Sequence, residues 1–368
     1  MKPRNPFYVT GYGGPRYFCD RVTELAKLRA AIDNGRNVTL LAARRMGKTG
    51  LIHHLFNALA DSDVPTIYVD IFATQNQVEF TKRFASAVIG SLDTDFNRAL
   101  KAATRFFKSF RPGVTIDPVT GAQSYSFGLQ PSQTEATLKE CFDYLAQRGP
   151  CVVAIDEFQQ IGEYPETGTE ALLRSYVQFL PDVRFIFAGS RHHLMTEMFS
   201  SAKRPFYNST QTLPLGCLGR TVYREFACRL MKEGGITLEA PVFDRVADLF
   251  DGITWYVQTV MNRLFERRRA TEADVGEVVE ELMEEKCWEY AALLKSLPRR
   301  SARVLKAVAQ AGKVAAPLGA DFLVQYAPGS PSTVHQALGK LLEDELLYEE
   351  DDGIVVYDRL FGYWLRRA

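Results

Sequence analysis

The chain has 368 residues, of which 46% are hydrophobic and 24% are charged, so it is long enough for two or three domains with substantial cores. Its 44 basic and 44 acidic side chains cancel, which gives no support to a strongly basic nucleic-acid binder or a membrane-surface protein. No apolar run approaches the roughly 20 residues that span a bilayer, and the Gly- and Pro-containing N-terminus does not read as a signal peptide. We therefore expect a soluble, cytoplasmic protein with no membrane partner.

The cysteines point the same way. The chain has six, and no two of them have the spacing of a zinc site or a redox pair: Cys19, Cys141, Cys151, Cys217, Cys228 and Cys287. Such usage is typical of a reducing compartment.

The first half of the chain predicts an α/β domain. An aromatic-rich lead-in is followed by a helix over 21–34, and apolar strands then alternate with helices, which is typical of a parallel sheet covered on both faces. The predicted strands are 38–42, 66–71, 151–155, 183–188 and 213–215. The stretch 114–129 departs from this alternation, and its turn at 117–121 (DPVTG) predicts an inserted hairpin.

The second half of the chain predicts helices. Apolar residues recur at helical spacing over 225–232, 242–250, 256–267 and 274–295. Residues 299–368 then predict three helices, a hairpin and a last helix, which together form a winged helix. The expected divisions are 1–36 (lead-in and first helix), 37–220 (core), 221–297 (helical lid) and 298–368 (winged helix).

A phosphate-binding motif follows the first strand, where residues 42–49 read AARRMGKT and open a helix. Backbone N–H groups and the helix dipole at such a position attract anions. Gly47 lets the backbone close around phosphates, Lys48 reaches the β and γ phosphates, and Thr49 offers a hydroxyl to Mg²⁺. The predicted nucleotide-binding residues are Ala43, Arg44, Arg45, Met46, Gly47, Lys48, Thr49 and Gly50. Ala42 stands where the pattern begins with Gly, and a chance Gly-Lys-Thr is the alternative.

A second motif argues against that alternative. The apolar strand 151–155 ends in Asp156 and Glu157. Asp156 would hold Mg²⁺ through water, since Mg²⁺ dehydrates reluctantly, and Glu157 would polarise the attacking water as general base. Taken alone, the motif also fits a buried strand with a solvated acidic end.

Two downstream residues are further catalytic candidates. Ser190 follows the strand 183–188 and is a candidate γ-phosphate sensor. Arg204 could act as an arginine finger, and a structural salt bridge is the alternative. The neighbouring His192 and His193 have no partners at the spacing of a zinc site.

These motifs resemble those of the archaeal-type ATPases of the STAND/AAA+ group, found in archaea and Bacteroides-like bacteria. The resemblance rests on residues 44–49 (RRMGKT), 155–158 (IDEF), 189–190 (GS) and 204–207 (RPFY), and it extends over essentially the whole chain. Residues 17–25 are similar to the family's N-terminal segment near the adenine, which implies that Arg21 lies at the nucleotide. Residues 252–258 are similar to its lid segment, although many members have Pro where this chain has Thr254. Asn208-Ser209 replace the family's frequent Gly-Arg, which leaves Arg204 as the finger candidate. The family implies a P-loop NTPase sheet of strand order 5-1-4-3-2, a helical lid and a C-terminal winged helix.

The winged helix has two interpretations. Its third helix would present Ser332, Thr333, His335, Gln336 and Lys340 to a DNA major groove. Alternatively it docks a protein partner or the ATPase core. The wing acids Glu349, Glu350, Asp351 and Asp352 oppose phosphate binding, whereas Arg299, Arg300, Arg303 and Lys306 could supply a basic side.

The leading prediction is an ATP-binding protein, a slow Mg²⁺-dependent ATPase that acts as a nucleotide-driven conformational switch coupled to the winged helix. The alternative is a DNA-binding regulator whose nucleotide site is mainly structural. Expected cofactors are ATP and Mg²⁺. The sequence leaves open whether the further partner is double-stranded DNA or a protein, and whether the chain self-associates.

Overall fold

A computed structural model describes residues 5–62, 64–92, 111–116, 123–129, 131–350 and 352–368. The chain divides into two compact units. The first, here called the sheet unit, comprises residues 6–226 and 252–259. The second, the helical unit, comprises residues 227–251 and 260–368 together with Asn5. The finer division into four parts remains a prediction.

The sheet unit alternates strands and helices along the chain. Its elements are α1 (Val22–Asp33), β1 (Val38–Leu41), α2 (Lys48–Leu59), β2 (Thr66–Asp70), α3 (Gln77–Leu92), β3 (Arg111–Ile116), β4 (Gln123–Gly128), α4 (Thr134–Arg148), β5 (Cys151–Asp156), α5 (Thr169–Val177), β6 (Val183–Gly189), α6 (His192–Ser200) and β7 (Gln211–Pro214).

Five of these strands form one parallel sheet in the order β2-β5-β6-β1-β7. Numbered among themselves in chain order, they run 2-3-4-1-5, which is the predicted 5-1-4-3-2 counted from the other edge. The predicted fold class is therefore confirmed. This order places the C-terminal ends of β1, β5 and β6 side by side, where the phosphate-binding loop begins and the acidic motif ends.

Both faces of the central strands β1, β5 and β6 are buried, which explains why these strands are mostly apolar. Successive residues of β6 alternate between two cores, because side chains of a strand point to opposite faces. Phe185 and Phe187 join a phenylalanine-rich core on one face. Ile186 and Ala188 join the core on the other face, which includes Leu51 and Leu55 of α2. Helix α2 is therefore held firmly beneath the loop that precedes it.

Strands β3 and β4 pair antiparallel, with Arg111 opposite Gly128 and Ile116 opposite Gln123. They lie in the stretch for which the sequence predicts an inserted hairpin. The predicted turn at 117–121 lies outside the described residues.

The helical unit contains α8 (Ala240–Leu249), α10 (Glu272–Glu285), α11 (Cys287–Ser296), α12 (Arg299–Ala311), β8 (Lys313–Val314), α13 (Ala320–Tyr326), α14 (Pro331–Glu343), β9 (Leu347–Glu350), β10 (Gly353–Val356) and α15 (Arg359–Leu365). Residues of α7 (Arg220–Glu233) and α9 (Thr254–Arg267) are shared between the two units.

Two features of this unit differ from the sequence prediction. The helix predicted over 274–295 is two helices, because the backbone leaves helical geometry at Lys286, with φ −104° and ψ 0°. The small sheet has a third strand, β8, which pairs antiparallel with β10. A two-residue strand has too little periodicity to be recognised in sequence. Within the described part of the chain, no helix is long and apolar enough to cross a membrane.

Candidate functional site

The loop between β1 and α2 has the backbone of a phosphate-binding loop. Gly47 is the N-cap of α2 with φ +89°, in the left-handed region that favours glycine. A Cβ added at Gly47 would meet no atom within 4 Å, so the requirement for glycine is conformational rather than steric. Because the N-cap residue is a glycine, it provides no side-chain cap, and N–H groups of the first turn of α2 are directed to the loop.

Lys48 lies inside this loop. The residue is 6% exposed, and its Nζ lies 3.3 Å from the carbonyl oxygen of Ala42 and 3.4 Å from that of Ala43. These two contacts hold the ammonium group at the loop.

Asp156 is the centre of the metal-side contacts. It is 3% exposed, and its Oδ2 accepts hydrogen bonds from Thr49 Oγ1 at 2.7 Å and from the Tyr68 hydroxyl at 2.8 Å. Its Oδ1 accepts the backbone N–H of Glu157 at 3.0 Å. Burial and the nearby Asp156 charge raise the pKa of Tyr68 well above its usual value, so the phenol remains a donor.

This donor set fits Mg²⁺. Thr49 and Asp156 offer a hydroxyl and a carboxylate, the hard oxygen ligands that Mg²⁺ prefers. Among the described residues, no group of three or more His, Cys, Asp or Glu could hold a metal by itself. A metal here would therefore be completed by phosphate and water oxygens, which is how Mg²⁺ is commonly bound beside nucleotides.

Glu157 is held by two side chains. Its Oε2 accepts hydrogen bonds from Ser190 Oγ at 2.7 Å and from Gln159 Nε2 at 2.6 Å. Glu157 itself has φ +58°, an uncommon value for a non-glycine residue. Gln159 is 2% exposed and is seated against Gly189, whose missing side chain provides the space.

Arg21 braces the loop from outside. Its φ of +63° turns the chain at the start of α1, and its side chain is 5% exposed. The guanidinium donates to the carbonyl oxygens of Met46 at 3.2 Å and Gly216 at 2.7 Å, and pairs with Glu24 at 2.9 Å. Arg21 therefore fixes the backbone of the phosphate loop relative to the segment after β7.

Arg45 connects the loop to the start of α9. Its guanidinium lies 4.4 Å from the ring centre of Trp255 and also donates to the Tyr256 hydroxyl. The N–H of Trp255 donates to the Arg45 carbonyl oxygen at 3.1 Å. The neighbouring Arg44 lies 5.7 Å from the ring centre of Phe72.

A cavity of about 320 Å³ lies against the loop, within the roughly 300–1,000 Å³ typical of small-molecule sites. Its lining includes residues 44–50, Arg21 and Glu157, together with Trp255 and the lead-in aromatics Tyr8, Tyr12, Tyr17 and Phe18. The Tyr12 hydroxyl forms a 2.7 Å hydrogen bond with His54 Nδ1, and Phe18 stacks on the same ring at 4.3 Å. The cavity lining thus combines phosphate-binding groups with aromatic rings.

Most of the predicted site residues therefore gather around one cavity. Asp156 is hydrogen-bonded to Thr49 of the cavity lining, and Ser190 is hydrogen-bonded to Glu157 of the same lining. Ala43 places its carbonyl oxygen near Lys48. Sequence reasoning missed Tyr68 and Gln159, since neither belongs to a motif.

Arg204 forms ion pairs elsewhere. It bonds to Glu170 at 2.7 Å and lies 3.7 Å from Glu197. Burial raises the pKa of Glu170, and the charge of Arg204 opposes that shift. Arg204 is not among the residues that line the cavity. This geometry supplies the salt bridge that the sequence offered as the alternative, and the finger assignment stays a prediction.

Several charged side chains of the C-terminal region form ion pairs with one another. Lys340 of α14 bonds to Glu343 at 3.2 Å and Asp344 at 3.0 Å. The wing acid Glu350 pairs with Lys313 at 2.8 Å and also with Arg359. These contacts neutralise both the basic residue of the third helix and part of the acidic wing.

Comparisons with known proteins agree with this architecture. Residues 288–367 match the family described as a probable winged helix domain. None of the curated proteins compared matches the chain.

The solved structures extend the likeness to the whole chain. A Walker-type ATPase of Pyrococcus abyssi is similar, with a TM-score of 0.69 and 20% identity over 98% of this chain and 99% of that one. The Aeropyrum pernix ORC2 protein, in ADPNP–ADP complexes, has a TM-score of 0.57 and 16% identity over 100% and 96% of the two chains. The ORC1 protein of the same organism, in complex with DNA, has a TM-score of 0.52 and 16% identity over 95% and 93%. At such low identity the likeness concerns the fold, which is that of a P-loop ATPase with a C-terminal winged helix.

Proposed function

We propose that the chain binds ATP and hydrolyses it slowly in the presence of Mg²⁺, as a nucleotide-driven conformational switch coupled to the winged helix. One observation carries the proposal: Lys48, Thr49 and Glu157 converge on a single cavity at the phosphate loop. The loop supplies N–H groups and one ammonium group for phosphates. The aromatic side chains of the lining supply rings on which a nucleotide base can stack.

Each residue has a distinct role in this proposal. Lys48 leaves its weak carbonyl contacts for the β and γ phosphates. Thr49 and Asp156 hold Mg²⁺, which when bound neutralises charge on the phosphates. Arg21 lines the cavity beside the nucleotide and also fixes the loop backbone, because its guanidinium donates to two carbonyl oxygens.

Glu157 would orient and polarise the attacking water. Its Oε2 already accepts two hydrogen bonds, so Ser190 and Gln159 set the direction in which the carboxylate points. Ser190 then acts through Glu157 as well as on the γ-phosphate.

The comparisons leave the finer family open, and we propose that it is the archaeal-type STAND/AAA+ group. The support is the combination of loop residues 44–49, the carboxylates at 156–157 and the segment 252–258. The segment 252–258 also has a structural role, because its Trp255 packs against Arg45 and fixes the phosphate loop at the cavity.

A DNA-binding regulator is the second candidate, favoured by the winged-helix match at residues 288–367. The paired state of Lys340 weakens it, because a phosphate contact would have to displace two carboxylates. Fluorescence anisotropy of a labelled duplex at several salt concentrations, with and without ATP, tests it. Absence of binding at low salt in both nucleotide states rejects DNA and leaves docking to a protein partner.

The test of the nucleotide site is the variant Lys48→Ala. Mg-ATP at about 100 times its dissociation constant should stabilise the wild-type protein by about 2.7 kcal/mol through linkage. The variant should show no such rise in melting temperature, because it loses the loop's ammonium group. Equal shifts in both proteins would refute the phosphate-loop assignment.

A further inference from the structure

We propose that Tyr68 is a positioning residue for the metal, which acts by fixing the carboxylate of Asp156. The proposal rests on the proposed nucleotide function and names a residue outside both motifs. Tyr68 lies on β2, the strand next to β5, and its hydroxyl donates to Asp156 Oδ2 at 2.8 Å.

The Asp156 carboxylate can accept only a limited number of hydrogen bonds. A carboxylate has about four lone-pair positions. Thr49 and Tyr68 use both positions of Oδ2, and the N–H of Glu157 uses one of Oδ1. One position therefore remains, on Oδ1, for a water molecule bound to the metal. Tyr68 thus decides which oxygen of Asp156 faces the metal.

The support behind Tyr68 is rigid. Its backbone pairs with Ala154 of β5, two residues before Asp156. Its ring contacts His53 of α2 with 4.7 Å between ring centres, and His53 stacks on Tyr12 at 6.3 Å. The hydroxyl is therefore held between two elements that also carry the phosphate loop and the acidic pair.

Loss of this hydroxyl frees one lone pair of Oδ2, on which Thr49 Oγ1 remains as a side-chain donor. The carboxylate can then rotate, and metal binding must restore its orientation. Replacing an outer-shell partner of a metal ligand typically lowers metal affinity about 10–100-fold. We expect a loss of this size for Tyr68→Phe.

The experiment compares wild type, Tyr68→Phe and the matched control Tyr176→Phe. Tyr176 is a partly buried tyrosine of α5 that packs on Phe142 at 5.0 Å. Each protein receives a non-hydrolysable ATP analogue, and Mg²⁺ is titrated while the melting temperature is followed. Binding of Mn²⁺ by electron paramagnetic resonance gives a second readout that does not depend on turnover.

The expected result is a selective change. Tyr68→Phe should need about 10–100 times more Mg²⁺ for half of the thermal shift. Binding of the analogue in EDTA should match wild type, as should turnover at saturating Mg²⁺. Tyr176→Phe should match wild type throughout. An unchanged Mg²⁺ dependence in Tyr68→Phe overturns the proposal, provided that wild type binds the analogue.

A double-mutant cycle with Asp156→Asn separates this role from general damage. Once the carboxylate is gone, Tyr68→Phe should lower Mn²⁺ affinity no further. Fully additive losses would show that Tyr68 acts elsewhere and would overturn the proposal. If wild type shows neither analogue binding nor a metal-dependent shift, the nucleotide function itself is refuted, and this role with it.

Discussion

Replacing Gly189 with Ala should destabilise the sheet unit and misplace Glu157. A Cβ at this position would lie 2.3 Å from Gln159 Oε1, 2.5 Å from Met195 Sδ and 2.6 Å from Met195 Cγ. All three distances are far below van der Waals contact. Gln159 is 2% exposed and Met195 is 0% exposed, so neither side chain can move into solvent.

The size of the effect follows from these contacts. Overpacking of a filled core costs about 1–3 kcal/mol. In a unit of this size each kcal/mol lowers the melting temperature by about 2–4 °C, so a fall of about 2–12 °C is expected. If Gln159 is the side chain that moves, its 2.6 Å hydrogen bond to Glu157 also breaks. Turnover should then change while nucleotide affinity stays near wild type.

Gly90→Ala is the matched control. Gly90 is an exposed residue of α3, and an added Cβ there meets no atom within 4 Å. Because glycine inside a helix costs about 0.5–1 kcal/mol relative to alanine, this variant should be slightly more stable than wild type. Thermal melts of the three proteins measure both effects. A melting temperature of Gly189→Ala at or above that of wild type would show that the added Cβ is accommodated without a clash.

Three further predictions concern the site and the winged helix. Glu157→Gln should keep ATP binding but lose about 10²–10⁴ in the rate of phosphate release, because it lacks the general base; an unchanged rate would assign that role to another residue. Arg204→Ala should lower the melting temperature because it leaves the charge of Glu170 unpaired. Combining Arg204→Ala with Glu170→Gln should restore both stability and turnover. A double variant that regains stability but not turnover would instead support an arginine finger. If Lys340 touches a DNA phosphate, Lys340→Ala should flatten the plot of log K against log[salt] by about 0.9, and an unaltered slope would remove Lys340 from any interface.

The sequence predicted those parts of the candidate site that consist of short motifs of consecutive residues. The phosphate loop and the acidic pair each occupy a few consecutive residues, so their chemistry and their place at strand ends could be predicted. The strand order followed from the family that these motifs indicate. Apolar strands such as 151–155 were recognised because both faces of the sheet are covered.

The unpredicted parts depend on contacts between distant residues. Tyr68 and Asp156 are hydrogen-bonded although they lie 88 positions apart in the sequence, and Tyr12 and His54 lie 42 positions apart. No short sequence pattern can predict such pairs. Arg21 was expected at the nucleotide, and the structure directs its guanidinium to two carbonyl oxygens that no motif identifies. Gly189 was a sequence signal for the position of Gln159, because a glycine before Ser190 allows another side chain to pack closely against the backbone there.

Because Trp255 contacts Arg45, it can serve as an intrinsic fluorescent probe of the phosphate loop. The chain has three tryptophans, and Trp255 lines the cavity whereas Trp288 is 85% exposed and Trp364 lies on α15 of the helical unit. The Arg45 guanidinium lies 4.4 Å from the Trp255 ring centre, and its charge affects the fluorescence of the indole. Phosphates that draw Arg45 away from the ring would therefore change the fluorescence of Trp255. With Trp288 and Trp364 replaced by Phe, indole fluorescence would report on the loop alone. Stopped-flow mixing could then time the arrival and departure of a ligand at the loop without any added dye.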